Sequence, residues 1–238
     1  MVASAIFCAA LMQQQGPPYF RDLIPQPTGR NGYEEYVRAV DLMHSRGVKA
    51  RIPALTDNTN QQPLLTRRRA ISGSMPPIWQ QVRQGNDKPI AFPRNLDFTT
   101  TLPELREFRD LGRAMAADIQ VSFADGEPNQ AIEDLFAALV FSDKVSSVGT
   151  LIHMLVGSAV QMVVLKEFAE HVDRIPIKGG QRLMEFGPYI LNRPNPAKIA
   201  LELELELVVK SLAKMFEGDQ DMIQIFLNAG AQESIKDL

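Results

Sequence analysis

The chain has 238 residues, 45% hydrophobic and 22% charged, a composition that excludes a wholly disordered polypeptide and a length that supports a sizeable core. Its formal net charge of −3 gives no reason to expect nucleic acid as a partner. The charge is unevenly spread, with 12 Lys+Arg against 6 Asp+Glu in residues 1–95 and 13 against 22 in the remainder, so a basic front and an acidic back can attract each other within the fold or between copies.

Residues 2–12 (VASAIFCAALM) form an apolar run as long as the hydrophobic core of a signal peptide, although no Lys or Arg precedes it. Gln13-Gln14-Gln15-Gly16-Pro17-Pro18 follows as a polar spacer. Phe7 is too large for the small residue that a lipoprotein signal places before its cysteine, here Cys8. Residues 1–30 are therefore read as an export-signal-like or extended segment, which places the protein in the envelope or outside the cell. A packed N-terminal helix in a cytoplasmic protein is the alternative. Cys8 is the only cysteine, which excludes an intrachain disulfide and a cysteine-based metal site.

Residues 31–238 are expected to form one helical domain. Eleven of the 16 prolines fall in residues 1–103, so residues 31–100 should be short helices and loops. The first helix opens at Asn31 with Glu34 as its capping-box partner, presents Tyr33, Tyr36, Val37, Val40 and Met43 on one face, and closes at Gly47. Residues 48–60 read as a loop. Helical pieces at Pro63–Ser72 and Pro77–Gln84 follow, and then a second loop over Gly85–Thr100.

From Thr101 the signals favour long helical hairpins, up to about residue 228. Thr101 and Glu104 form a second capping box, and Leu105, Phe108, Gly112, Met115 and Ile119 make one apolar or small face with Arg106, Arg109, Asp110 and Arg113 opposite. Asp125-Gly126 turns the chain, and Pro128 opens a helix carrying Ala131, Ile132, Leu135, Phe136, Leu139 and Val140. A break at Asp143–Ser147 precedes an apolar helix over Val148–Val172. Gly179-Gly180 and Pro188 bound a shorter helix, Gln181–Leu191. Asn195-Pro196 caps a helix that runs to Phe216 through the alternating stretch from Leu201 to Leu207, and a last helix covers Asp219–Asn228. The fold class is all-α: packed antiparallel hairpins in a bundle or a short solenoid-like array.

Gly126, Ala131, Ile132, Ala138 and Leu139 resemble the second helix of a tetratricopeptide repeat, where small residues let antiparallel helices approach closely. Leu111-Gly112 stands about two turns too far from Gly126 for the repeat's first helix, and the repeat's period of about 34 residues does not recur. More broadly, Asn31-Gly-Tyr-Glu-Glu-Tyr36, Leu111-Gly112-Arg113, Asp125-Gly126 and Leu151-Ile152 resemble a family of uncharacterised bacterial helical proteins, over about residues 30–175. That resemblance implies a helical-repeat-like fold, frequent export and no catalytic chemistry.

No candidate constellation demands a reaction or a cofactor. His153 and His171 are five helical turns apart, about 27 Å by helix rise, too far to share an ion. Asp41/His44 and Glu167/His171 are each one turn apart and read as solvated or core-edge pairs. Ser72-Gly73-Ser74 and Gly157-Ser158 lack a nucleophile elbow, Lys178-Gly179-Gly180 lacks phosphate-loop spacing, and Glu202, Glu204 and Glu206 spread around a helix. Arg67-Arg68-Arg69 is a basic run expected on a solvated face. The uncharged window Val145–Leu165 could span a bilayer, but its His153 and Gln161 favour a core helix touched on most sides. The reading is a non-catalytic scaffold or protein-interaction module, with a hydrolase or metal enzyme assembled only in three dimensions, or a membrane-associated envelope protein, as rivals.

Overall fold

The computed structural model describes residues 23–24, 27–96 and 100–217. Three-quarters of these residues are helical and no strand is present among them, so the chain is all-α. The expected apolar run at 2–12 and the expected helix at 219–228 lie outside the described residues.

The front half contains α1 (Gly32–Ser45), α2 (Val48–Arg51), α3 (Pro53–Thr56), α4 (Leu64–Ser72) and α5 (Pro76–Asn86). Asn31 caps α1 by accepting the Tyr33 N–H at 3.0 Å, and Gly47, at φ 70°, ends the turn that follows it. Glu34 does not complete a capping box. Its carboxylate instead accepts bonds from the Thr28 N–H, the Thr28 hydroxyl and the Gly29 N–H, each at 2.8 Å, and so ties the incoming chain to α1. Where a loop was expected at 48–60, α2 and α3 make two single turns. Buried Val48 and Ile52 anchor them, and Pro53 occupies a first helical turn, where its missing N–H costs nothing.

The centre is built from α6 (Pro103–Ala124), α7 (Pro128–Ser147) and α8 (Leu151–Ala169), which pack on one another. Small residues set their separations. A Cβ on Gly112 of α6 would stand 2.7 Å from a methyl of Val160 on α8, and one on Gly157 of α8 would overlap Ser146 and the Ser142 carbonyl of α7. Gly126, at φ 82°, turns α6 into α7, and Ala131 and Ala138 on α7 are completely buried. Tyr33 and Tyr36 of α1 meet Phe108 of α6 and Phe141 of α7 edge to face, with ring centres 4.7–6.4 Å apart.

Two expectations fail here for local reasons. Thr101 does not cap α6. Leu102 holds the N-cap position without a side-chain bond, while Glu104 is drawn into the core by the Tyr33 hydroxyl at 2.8 Å and Arg94 at 2.7 Å. Nor does the chain break at 143–147. The hydroxyls of Ser142, Ser146 and Ser147 bond back to carbonyls of their own helix, so α7 continues until the Val148–Thr150 connection.

A 3-10 turn (Val172–Arg174) leads to α9 (Ile177–Leu191) and α10 (Pro196–Phe216). Gly179, Gly180 and Pro188 lie inside α9 instead of bounding it. A Cβ at Gly179 would overlap Ile132, so that glycine lets α9 approach α7. Beside Pro188, Phe186 stacks on Phe136 of α7 with centres 4.2 Å apart. Asn195 caps α10 by accepting the Ala197 N–H at 3.0 Å, and the alternating Leu-Glu stretch is helical as expected. α10 lies against α8 and α7.

Candidate functional site

The acidic residues of the central helices are the first place to look for chemistry, because several are buried. Along α6, Glu104, Glu107, Asp110 and Asp118 all face inward, and Asp134 does so from α7. Asp110 was expected on the solvent face. The structure gives each acid a partner from the front half. Arg94 reaches Glu104, His44 and Lys49 reach Glu107 at 2.8 and 2.9 Å, Lys49 also reaches Asp110, the Trp79 indole N–H donates to Asp118 at 2.6 Å, and Arg83 reaches Asp134. The uneven charge of the two halves is therefore spent in part inside one molecule: basic residues before position 95 clamp acids after position 103. Burying two charges needs such pairing, and leaving either one alone is costly.

These contacts tune the groups without assembling a reactive pair. Burial raises the Asp134 carboxyl to about 6 despite Gln130 and Arg83 beside it. Asp118 is likewise pushed up by burial. Burial alone would lower Lys49, but its bonds to Asp110 and Glu107 carry the net shift upward.

The remaining residues singled out by sequence are dispersed. Arg67, Arg68 and Arg69 diverge: Arg67 bonds the Ala54 and Asp57 carbonyls, Arg68 bonds Glu167 at 2.9 Å, and Arg69 bonds Asp125. His44 turns toward Glu107, not Asp41. His171 stacks on Phe123 at 4.9 Å, while Glu167 takes Arg68 and Gln120. His153 is fully buried against Phe92, and burial followed by the Arg94 charge lowers it to about 4. Glu204 accepts the Leu151 N–H at 3.1 Å and so satisfies the start of α8, while Glu202 and Glu206 point to solvent. Among the described residues no group of three or more His, Cys, Asp or Glu could hold a metal ion. Gly112, Ala131 and Ala138 serve helix approach, Gly126 turns the chain at positive φ, Asn31 and Glu34 hold the start of α1, Glu104 serves the buried network, and Thr101 takes no capping role.

The feature that packing leaves over is apolar. α8 was expected to be covered on most sides, yet only His153, Gly157, Val160, Val164 and Phe168 are buried, a single stripe facing α6 and α7. Ile152, Leu155, Met162 (72% exposed) and Leu165 look outward. α9 exposes Ile177, Met184 and Leu191 at seven-residue intervals. α10 buries Ala200, Leu207 and Ser211 but exposes Leu201, Leu205 (65%), Val208 and Leu212. Those last four recur at steps of four, three and four, which is the spacing of a seam that receives another helix. In sequence this stretch reads only as an alternating run within a helix, and the exposed row emerges from the structure. Which side of α10 the core takes depends on how α10 docks on α7 and α8.

No protein-family model matches this chain, and no curated protein or solved structure is significantly similar to it.

Proposed function

We propose that the protein is a helical interaction module that holds an amphipathic helix of a protein partner along the exposed stripe of α10. The observation that carries this reading is the run Leu201, Leu205, Val208 and Leu212, apolar, outward-facing and at heptad-like spacing. Single exposed leucines are ordinary on protein surfaces, whereas an apolar row of this length marks an interaction surface. The α6–α7 hairpin, turned at Gly126 and closely packed through Ala131 and Ala138, supports the scaffold role that its tetratricopeptide-like spacing implies.

A membrane surface is the second reading, favoured by one observation: α8 has 19 residues at a mean hydropathy of 1.4, enough to cross a bilayer. Two features favour a protein partner instead. The inner side of α8 holds Glu167 in an ion pair with Arg68, so α8 would enter lipid only by breaking that pair or carrying it along. Residues 151–217 carry 8 Lys+Arg and 8 Asp+Glu, which provides no positive excess for anionic lipid headgroups.

A photo-crosslinking side chain placed at Leu205 or Leu212, in the cell of origin, tests the reading. Both positions should give the same discrete protein adduct, and a control at exposed Thr59 should give none. Adducts to lipid alone, or no adduct at either position, would overturn it.

A further inference from the structure

A cleft of about 300 Å³ opens where α3, α4, α6 and α8 meet, a volume at the small end of ligand sites. Leu55, Ala116, Ala117 and Val163 make one wall apolar. The space is open there because α6 contributes two consecutive alanines, whose side chains stop at a methyl group.

The rest of the lining is charged, and its sum is positive: Arg68, Arg113 and Lys166 against Glu167 alone. Arg68 and Glu167 pair at 2.9 Å and cancel each other. Arg113 donates to Asp110 at 2.7 Å through Nη1, but Asp110 lies outside the lining and also holds Lys49, which pairs in turn with Glu107. Arg113 and Lys49 together therefore balance Asp110 and Glu107. Lys166 is exposed and makes no ion pair among the described residues. Glu170, just past the end of α8, accepts a bond from Gln120 at 3.2 Å and does not line the cleft. The lining is left with one surplus positive charge, at Lys166, in the same small cleft as the Arg113 guanidinium and the apolar wall.

We propose that this cleft binds an aliphatic monocarboxylate, with its carboxylate between Arg113 and Lys166 and its chain on Ala116, Ala117 and Val163. The forked guanidinium matches a carboxylate, the ammonium adds a point charge, and one negative charge meets the surplus without disturbing the Arg68–Glu167 pair. A neutral apolar molecule would use only the apolar wall, and a small inorganic anion only the charged one. The site is separate from the exposed stripe of α10 and does not rest on it.

The experiment is a titration of the full chain with hexanoate at neutral pH, followed by the methyl signals of Leu55 and Val163. Three probes each lack one feature: hexanamide has the chain without the charge, and acetate and inorganic phosphate have charge without the chain. Hexanoate should shift those methyls with a Kd on the order of 0.1–1 mM, and each of the three probes should bind about tenfold or more weakly. Lys166→Glu, at an exposed position, should weaken hexanoate about tenfold or more, leave hexanamide unchanged, and keep the melting temperature near that of the parent. Hexanamide binding as tightly as hexanoate would overturn the proposal by reducing the cleft to an apolar dent. Acetate or phosphate binding as tightly would overturn it by reducing the site to surface charge. So would unaltered hexanoate binding in Lys166→Glu, or no methyl shift in the parent at about 10 mM hexanoate.

Discussion

Gly157 and Gly180 are both glycines inside helices, and their surroundings predict opposite outcomes for the same substitution. A Cβ at Gly157 would overlap Ser146 and the Ser142 carbonyl, whereas a Cβ at Gly180 meets nothing within 4 Å. Gly157→Ala forces α8 away from α7 and should cost about 1–3 kcal/mol. Gly180→Ala removes only the backbone freedom of the unfolded chain and should stabilise by roughly 0.5–1 kcal/mol. Urea midpoints of the two variants check both signs, and a shift in the same direction would contradict the packing described. Asp134 supplies a pH test. Its folded carboxyl titrates at about 6, above its ordinary value, because burial outweighs its polar neighbours. The folded state therefore binds its proton more tightly than the unfolded chain does. Stability from this group is fully present below about pH 4 and is lost as pH rises through about 6. His153 opposes it: its folded value, lowered to about 4, removes stability as pH falls from about 6.5. Asp134→Asn deletes the first effect and leaves the second. The stability difference between variant and parent should thus change by on the order of 2 kcal/mol between about pH 4 and pH 7, and a constant difference would rule out the burial account.

At the scale of elements, local chemistry was legible in the sequence where the chain itself supplies the partner. Asn31, Gly47, Gly126 and Asn195 mark helix ends because each satisfies or turns the backbone beside it. Thr101, Ser146 and Pro188 misled because the same residue types have a second local use. Thr101 was displaced when Glu104 bonded into the core, Ser146 bonds to its own helix, and Pro188 is tolerated between aromatic contacts. The two caps can be compared directly. Asn31→Ala should cost about 1 kcal/mol from the cap alone, and more because Asn31 also exchanges bonds with Ala91, in the segment that follows α5. Thr101→Ala should stay within about 0.5 kcal/mol. Thermal melts of the two variants measure this, and a larger loss at Thr101 would restore the capping box.

At the scale of the molecule, the total charge of each half was readable, but its pairing was not. Nothing in the spacing of Glu107 and Asp110 says that Lys49 bonds both, since that contact spans about 60 positions and depends on where α2 docks. The same limit applies to the candidate surface. Heptad-like steps at Leu201, Leu205, Val208 and Leu212 are visible in the chain, yet α10 could have turned them inward. It did not: Ala200, Leu207 and Ser211 take the inner side against α7 and α8. An outward seam with a packed inner side separates two properties that a core helix combines: charging the seam should abolish association without unfolding the chain. The direct measurement is made on the double variant Leu205→Glu/Leu212→Glu in the cell of origin, comparing its melting temperature and the native size of its assembly with those of the parent. The account predicts the same melting temperature within about 2 °C, a parent found in an assembly larger than one chain, and a variant released from it. A variant that unfolds, or that elutes in the same position as its parent, would contradict the claim that α10 presents a partner-binding seam.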